Sequence, residues 1–584
     1  MASIQGAGAS NSSSSPALNA VTARRAPPPE SSKSIANRRA VILSFWAVVL
    51  FLGLPVWWKT TAIYRADLPL QVMTDWADGK VCLLLHFDNS AKQELQICKP
   101  LFPLRIAVET PSLPLQDAQH LLRTTQHALD DLNEFSAHHL RLMLADALSS
   151  SNASQDVFGS TTHSNNEPLD LERDRDIALS IRMIPAESGT TPRSELQPYT
   201  PRLDVYFTSN QIPPPSSTSS PLATYIANEL HKMFAEEQDT LAYLLSTTST
   251  SHTSRIKSLS PETSAELERR STRAMKYAPT YHLTFSLFSP TFTPSAWEIE
   301  AGLKQYLLPL VESLSTISNF TIDTQVQLYA TFSPSIRQPE FDEELQAWTL
   351  RKEDLSGFIN AAEWPLSPSI GKGPTINFVL YVPDQAQSPL LVKENGGNSW
   401  LVPQWGGVQI LNVPTSSDSP PTTLSKDVLG PAIHTFSDQL FSLLGVPKTP
   451  TSLPLRLSTL TRVRAASLLF SASSTLGALA RLYKALPSIP IPDTVAKSVD
   501  LTIIHLQQAC NDLREGRFQG ALEHARVAEA EAEKAFFERS MVGQVYFPDE
   551  HKVAVYLPLL GPVAVPLILA AVKELKSLRA RRSA

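Results

Sequence analysis

Few residues in this sequence have the types and spacing that chemistry needs. Asp174-Arg175-Asp176 spells a D-x-D pattern. Two carboxylates so placed can share a divalent cation that also holds a nucleotide phosphate. The triplet sits in ERDRDIALSIRM, ahead of a predicted strand rather than at its end, and a solvated charge cluster accounts for the same letters. A cysteine nucleophile needs a thiolate held by a neighbouring base. Cys510 lies mid-helix with no such motif around it and reads as a packed residue. His138 and His139 are adjacent, so on the helix predicted there they point in different directions and do not share a metal. Glu298 and Glu300 are two apart on another predicted helix and do not share a face. G-x-S-x-G, H-E-x-x-H and C-x-x-C patterns are absent. The sequence yields no catalytic set, no cofactor site and no metal site.

The elements around these residues are more informative. Residues 40–58 read AVILSFWAVVLFLGLPVWW, without a charge. As a helix that is roughly 28 Å, about the hydrocarbon thickness of a bilayer. Residues 553–572 read VAVYLPLLGPVAVPLILAAV, also uncharged. Soluble helices rarely stay apolar on every face for this long. Arg24, Arg25, Lys33, Arg38 and Arg39 precede the first run. Lys573, Lys576, Arg579, Arg581 and Arg582 follow the second. The positive-inside rule therefore puts both termini in the cytosol and residues 59–552 in the lumen or outside the cell. The first run is too long for a cleaved signal peptide and reads as an uncleaved anchor. Pro558, Pro562 and Pro566 recur along one face of the second run, where they either shape a packing surface or are tolerated membrane prolines. Neither run holds an ionisable residue, which argues against an ion path through this chain alone.

Composition is that of a globular chain, 42% apolar and 18% charged. The net charge of −6 over 584 residues gives no basic field for nucleic acid. Forty-six prolines against 21 glycines favour rigid connectors over flexible ones. Three cysteines do not make a disulfide scaffold. Cys82 and Cys98 lie on neighbouring predicted strands, in KVCLLLHFD and LQICKPLFPLRIAVE. They are a candidate disulfide in an oxidising lumen, with two separate buried thiols as the alternative.

The spacing predicts a membrane protein with two transmembrane helices flanking a large mixed α/β lumenal domain. Residues 1–39 read as a disordered cytosolic tail, 40–58 as the first span, 59–424 as the α/β domain, 425–552 as a helical section, 553–572 as the second span and 573–584 as a basic cytosolic tail. Helices are predicted at 115–148, 223–247, 295–317 (with Ser295 as N-cap) and 457–485, with a long helix or antiparallel pair after the SIPIPDT break. Strands are predicted at 281–290, 319–332, 375–383 and 399–413, the last broken by Trp405-Gly406-Gly407.

Several segments together resemble one known family. GLPVWWKTTAIYRADLP at 53–69 is similar to the membrane-exit segment of PIG-S proteins, subunits of the GPI transamidase. YHLTFSLFSP, WEIEAGLKQYLLPLVESLSTISNFTIDTQVQLYA, INFVLYVP, LVPQWGGVQILN and YFPDEHKVAVYLPLLGPVAVPL follow in the family's order. The resemblance implies a non-catalytic subunit of the endoplasmic reticulum complex that replaces a precursor's C-terminal signal with a GPI lipid. Its partners would be the other transamidase subunits, including a caspase-like catalytic subunit, and, directly or through them, the precursor and the GPI lipid. No cofactor is implied, and no catalytic residues carry over. The alternative from the residues is a lumenal, membrane-anchored glycosyltransferase using Asp174 and Asp176.

Two sequons fall in the lumenal part, at Asn152 and Asn319. With this topology both are candidates for N-glycosylation. Glycosidase treatment should raise gel mobility, and the double replacement Asn152→Gln/Asn319→Gln should abolish the shift; a wild-type chain that does not shift would overturn the lumenal placement.

Overall fold

The computed structural model describes residues 31–61, 64–79, 100–145, 177–186, 191–248, 259–330, 337–355, 373–413, 422–487, 489–542 and 549–582. The chain divides into two units. One comprises Met1–Arg65, Ser488–Pro490 and Gly543–Ala584, and the other Ala66–Pro487 with Ile491–Val542.

The first unit opens with α1 (Ser32–Val48) and α2 (Leu54–Thr61), joined by a π turn over Val49–Gly53. Pro55 explains the turn. It has no N–H for the carbonyl four residues back and its ring crowds that carbonyl, and a wider turn absorbs the mismatch. Val41, Leu43, Phe51 and Leu52 are exposed along this helix.

The second unit begins with α3 (Leu70–Ala77) and then builds its first sheet. β1 (Phe102–Glu109) leads through α4 (Leu115–Leu132) to β2 (His138–Leu144), then β3 (Ile177–Pro185), β4 (Arg193–Leu196) and β5 (Arg202–Phe207). The order is β2-β1-β3-β5-β4, parallel except for the edge strand β4. Phe102, Leu104, Ile106, Leu179, Ile181 and Val205 are fully buried in it. The helix expected at 115–148 is corrected to a helix and a strand. Asn133 ends the helix, its side chain accepting from Phe135 N (3.0 Å) and donating to His138 O (2.9 Å). The Leu-rich run after it pairs with β1 from Phe102↔His138 to Val108↔Leu144, a partner that helical periodicity could not reveal. α5 (Pro221–Thr248) and α6 (Pro261–Arg273) follow, the latter capped by Ser260 accepting from Thr263 N.

The second sheet repeats this plan. β6 (Thr280–Ser289) is followed by β7 (Ala296–Trp297), then α7 (Ile299–Gly302) and α8 (Leu308–Leu314), with a π turn at Leu303–Leu307 ahead of Pro309. β8 (Asn319–Leu328), β9 (Glu340–Asp342), β10 (Ala347–Leu350), β11 (Thr375–Tyr381), β12 (Leu390–Val392), β13 (Ser399–Val402), β14 (Gly406–Ile410) and β15 (Thr423–Leu424) follow. The main sheet runs β13-β14-β11-β6-β8, parallel except for β13. Numbering strands by their order within each half, both sheets read 2-1-3-5-4 with the fourth strand antiparallel at the edge.

One face of this sheet packs on α9 (Lys426–Leu444), where Phe436 lies 5.9 Å from Phe285 and 5.2 Å from Phe378 between ring centroids. The other face forms a core with the small sheet β12-β10-β9, joining Phe288, Val379, Tyr381, Leu390 and Ile410. Ser295 does not cap a helix. It and Ala296 donate to Thr422 O because β7 pairs with β15, and the helix starts four residues later. The Trp405-Gly406-Gly407 break is the turn of the β13–β14 hairpin. A Cβ on Gly406 would lie 1.8 Å from Asn377 O, and one on Gly407 1.9 Å from Gln439 Oε1.

Three long helices follow in this unit, ahead of a single short turn at Arg539–Val542: α10 (Leu453–Ala485), α11 (Asp493–Glu515) and α12 (Phe518–Phe536). α11 and α12 form an antiparallel pair across Gly516, whose φ of 84° ends α11. Ser498 donates to Glu531 (2.7 Å), and His505 Nδ1 meets His524 Nδ1 at 3.0 Å. Helices Ser32–Val56 and Leu453–Ala485 are both long and apolar enough to cross a membrane. Burial separates them: 56% of the apolar stretch of Leu453–Ala485 is buried within protein, against 0% for Ser32–Val56. The second is a core helix.

The last helix, α13 (Asp549–Arg582), belongs to the first unit and continues through Pro558, Pro562 and Pro566, all three exposed. Glu574 near its end pairs with Arg39 and, at 3.5 Å, with Arg38 at the start of the first apolar run. The basic start of the first apolar helix and the end of the second are therefore in contact.

Gly407→Ala must displace Gln439, and Gly406→Ala must displace backbone. Each is expected to cost at least about 2 kcal/mol, the backbone clash more, read as a lowered thermal midpoint; an unchanged midpoint would refute this packing.

Candidate functional site

The residues singled out in the sequence do not assemble into a site. Asp174, Asp176, Asn152, Cys82 and Cys98 lie outside the described residues. Cys510 is fully buried on α11, as expected of a packed residue, but it is disulfide-bonded rather than a free thiol. Asn319 is exposed at the start of edge strand β8. Glu298 accepts from Lys426 N (3.0 Å), and Glu300 pairs with Lys304 on the surface. Among the described residues no group of three or more His, Cys, Asp or Glu could hold a metal.

What the structure does assemble is a cavity of about 580 Å³ between α5, α6, α9 and α10. Two adjacent acids on α5 organise it. Glu237 turns inward and is buried against Arg462 of α10, which donates from Nε and Nη2 at 2.6 Å each. Thr459 donates to the same carboxylate at 2.7 Å, and His138 of β2 stands 3.5 Å away. Arg462 also lies over the Phe518 ring of α12, at 5.3 Å. Burial alone would raise the Glu237 pKa. The Arg462 charge and its hydrogen bonds, with His138, overcome that and hold the carboxyl well below its usual range.

Glu236 turns the other way and lines the cavity. It pairs with Arg270 of α6 and accepts from the backbone N–H of Lys448 (3.1 Å) and Thr449 (2.9 Å). Burial works against its ionisation, but the Thr449, Arg270 and Lys448 hydrogen bonds prevail and lower its pKa. The segment it holds follows the C-terminus of α9, where Gly445 takes a φ of 71°. Carbonyls at and just beyond that helix end are met from α10 and from the loop after α6. Arg464 donates to Leu444 O and Arg456 to Pro447 O, both at 2.7 Å, and Met275 N donates to Leu443 O. Arg456 also stacks over Phe441, 4.7 Å from its centroid.

Positions 456, 460, 463, 464, 467 and 471 all line the cavity, one face of α10 at helical spacing. Leu267, Leu460 and Met275 supply apolar wall. Sequence reasoning missed this site. The signal lay in TLTRVRAASLL, where arginines sit inside an otherwise apolar helix: a buried arginine implies a buried partner, and for Arg462 that partner is Glu237, 225 residues away.

Comparison with known proteins bears on the whole chain. The family profile described as Phosphatidylinositol-glycan biosynthesis class S protein, PIG-S, matches residues 44–581. The chain belongs to the PIG-S family. A rat protein named GPI-anchor transamidase component PIGS is 27% identical over 567 residues, covering 92% of this chain and 95% of the relative. Its human counterpart matches at the same identity and coverage. A Schizosaccharomyces pombe protein named GPI transamidase component PIG-S homolog is 27% identical over 93% of this chain and 85% of its own length. The family profile thus runs from within the first apolar run, through the domain that follows, to beyond the second.

Removing one partner of the Glu237–Arg462 pair leaves a buried charge. Glu237→Ala should cost about 3–5 kcal/mol, and Glu237→Leu combined with Arg462→Met should recover much of it. The folded-state pKa of Glu237 is depressed, so its contribution is full above the ordinary carboxylate range and fades only as pH falls through the lower folded value. Chemical denaturation at pH 7 and pH 5 should therefore give the same wild-type-minus-variant difference.

Proposed function

We propose that this chain is a subunit of the GPI transamidase complex of the endoplasmic reticulum membrane. The observation that carries the reading is the match to proteins named as components of that complex over 92% of this chain and 95% of the rat relative. A match confined to one module would support a shared fold; a match over nearly the whole of both chains supports a shared role.

In this reading the chain is not the catalyst. The relatives are named as components, and the catalytic cysteine belongs to a caspase-like partner. Residues 40–58 and 553–572 cross the membrane, both termini are cytosolic, and the α/β and helical regions are lumenal. The Arg38 and Arg39 contacts to Glu574 support the antiparallel arrangement that such a topology needs. The exposed proline ridge of α13 suits packing against other membrane helices. The lumenal part assembles the complex and shapes access for the precursor. The glycosyltransferase alternative draws no support from the relatives' names.

Deleting the gene should remove GPI-anchored proteins from the cell surface and leave precursors with uncleaved C-terminal signals. A mild-detergent pulldown of the full chain should recover a caspase-like membrane subunit. Normal surface display in the deletion strain would reject the proposal.

A further inference from the structure

We propose that the cavity between α5, α6, α9 and α10 binds a small anionic amphiphile, an apolar body carrying one phosphate or carboxylate. The proposal goes beyond membership of the complex and does not depend on it.

Charge is the first argument. The lining cations are Arg270, Arg273, Lys276, Lys448, Arg456 and Arg464; the lining carboxylates are Glu236, Asp438 and Glu529. Glu236 is committed to Arg270 and to the 448–449 backbone. Glu529 accepts from Ser471 (2.9 Å) with Lys276 4.0 Å away, and Lys276 is shared with Glu533. Arg273, Lys448, Arg456 and Arg464 have no carboxylate within ion-pair distance among the described residues. A concave surface with surplus positive charge, in a chain of net charge −6, concentrates anions locally.

Donor supply is the second argument. Arg464 gives Nη2 to Leu444 O, and Arg456 gives Nε to Pro447 O. Each guanidinium has five N–H groups, so both keep donors for a ligand while the helix end holds them in place. The arginines are positioned before any ligand arrives, which lowers the entropic cost of binding.

The walls supply the third. Leu244, Leu267, Met275, Leu460, Val463 and Leu468 line the same space. A volume of about 580 Å³ falls inside the range of roughly 300–1,000 Å³ typical of small-molecule sites. An inorganic anion would leave those walls wet, and a neutral apolar molecule would leave the guanidiniums unanswered.

The test uses the full chain in phosphatidylcholine nanodiscs, with empty nanodiscs as background. Decyl phosphate and decanoate are the probes; decanol and inorganic phosphate are the controls. Calorimetry should show saturable one-to-one binding of a charged probe, with each control at least about tenfold weaker. Lys448→Glu combined with Arg273→Gln should weaken binding about tenfold or more without moving the thermal midpoint, since neither side chain holds an ion pair. Val463→Trp, which fills the apolar end, should do the same from the other side. Inorganic phosphate binding as tightly as decyl phosphate would reduce the site to a simple anion site and overturn the proposal. So would decanol binding as tightly as decyl phosphate, or binding that neither variant changes.

Discussion

The buried Glu237–Arg462 pair is the constraint on which this α/β and helical architecture turns. It joins α5, which follows the first sheet, to α10, the longest core helix, and it reaches His138 of β2 and Phe518 of α12. Removing two charges from water is costly, and their attraction repays it only when geometry and further hydrogen bonds are good. Here two N–H groups and the Thr459 hydroxyl meet one carboxylate, so that condition is satisfied. Replacing both partners of such a pair by apolar residues can be neutral, whereas removing one leaves a buried charge. The pair fixes the rotation of α5 and α10, and through that rotation it turns Glu236 and the 456–471 face towards the cavity.

The cavity is not where an α/β sheet would be expected to bind. Open parallel sheets usually take ligands at the carboxyl ends of their strands, where strand order reverses. In the second sheet that point lies between β6 and β11. The chain closes it with its own groups: Val382 N donates to Phe288 O, and Ser289 and Thr291 hydroxyls both donate to Thr293 O. Chemistry-bearing side chains are correspondingly scarce there. The cavity sits instead among helices, where the C-terminus of α9 needs donors and α10 provides them as arginines.

The repeated 2-1-3-5-4 order gives two similar frames with different coverings. The second sheet sandwiches itself between α9 and a small three-stranded sheet, filling a core with Tyr381, Trp348 and Trp400. Its central strands are buried on both faces, and they read in the sequence as continuous apolar runs such as TINFVLYV. That is why those strands were legible; α9 fell within the helical section expected from residue 425, while the small sheet β12-β10-β9 was not foreseen.

The sequence by itself determined what depends on neighbouring residues. Charge-free runs, their basic flanks, the 3.6-residue pattern of the helical section and the Gly-Gly hairpin break are all local, and each has its physical cause within a few residues. The family's segment order is likewise readable along the chain. Tertiary structure alone decided the rest. It made 138–144 a strand, because β1 was waiting as a partner. It turned 296–297 from a helix start into a bridge to 423–424. It placed Leu453–Ala485, apolar enough for a membrane, in a protein core. It also brought Glu237 to Arg462 on a helix 225 residues away. Pairing, burial and ion pairs of long sequence separation depend on which surfaces meet, and no local pattern encodes that.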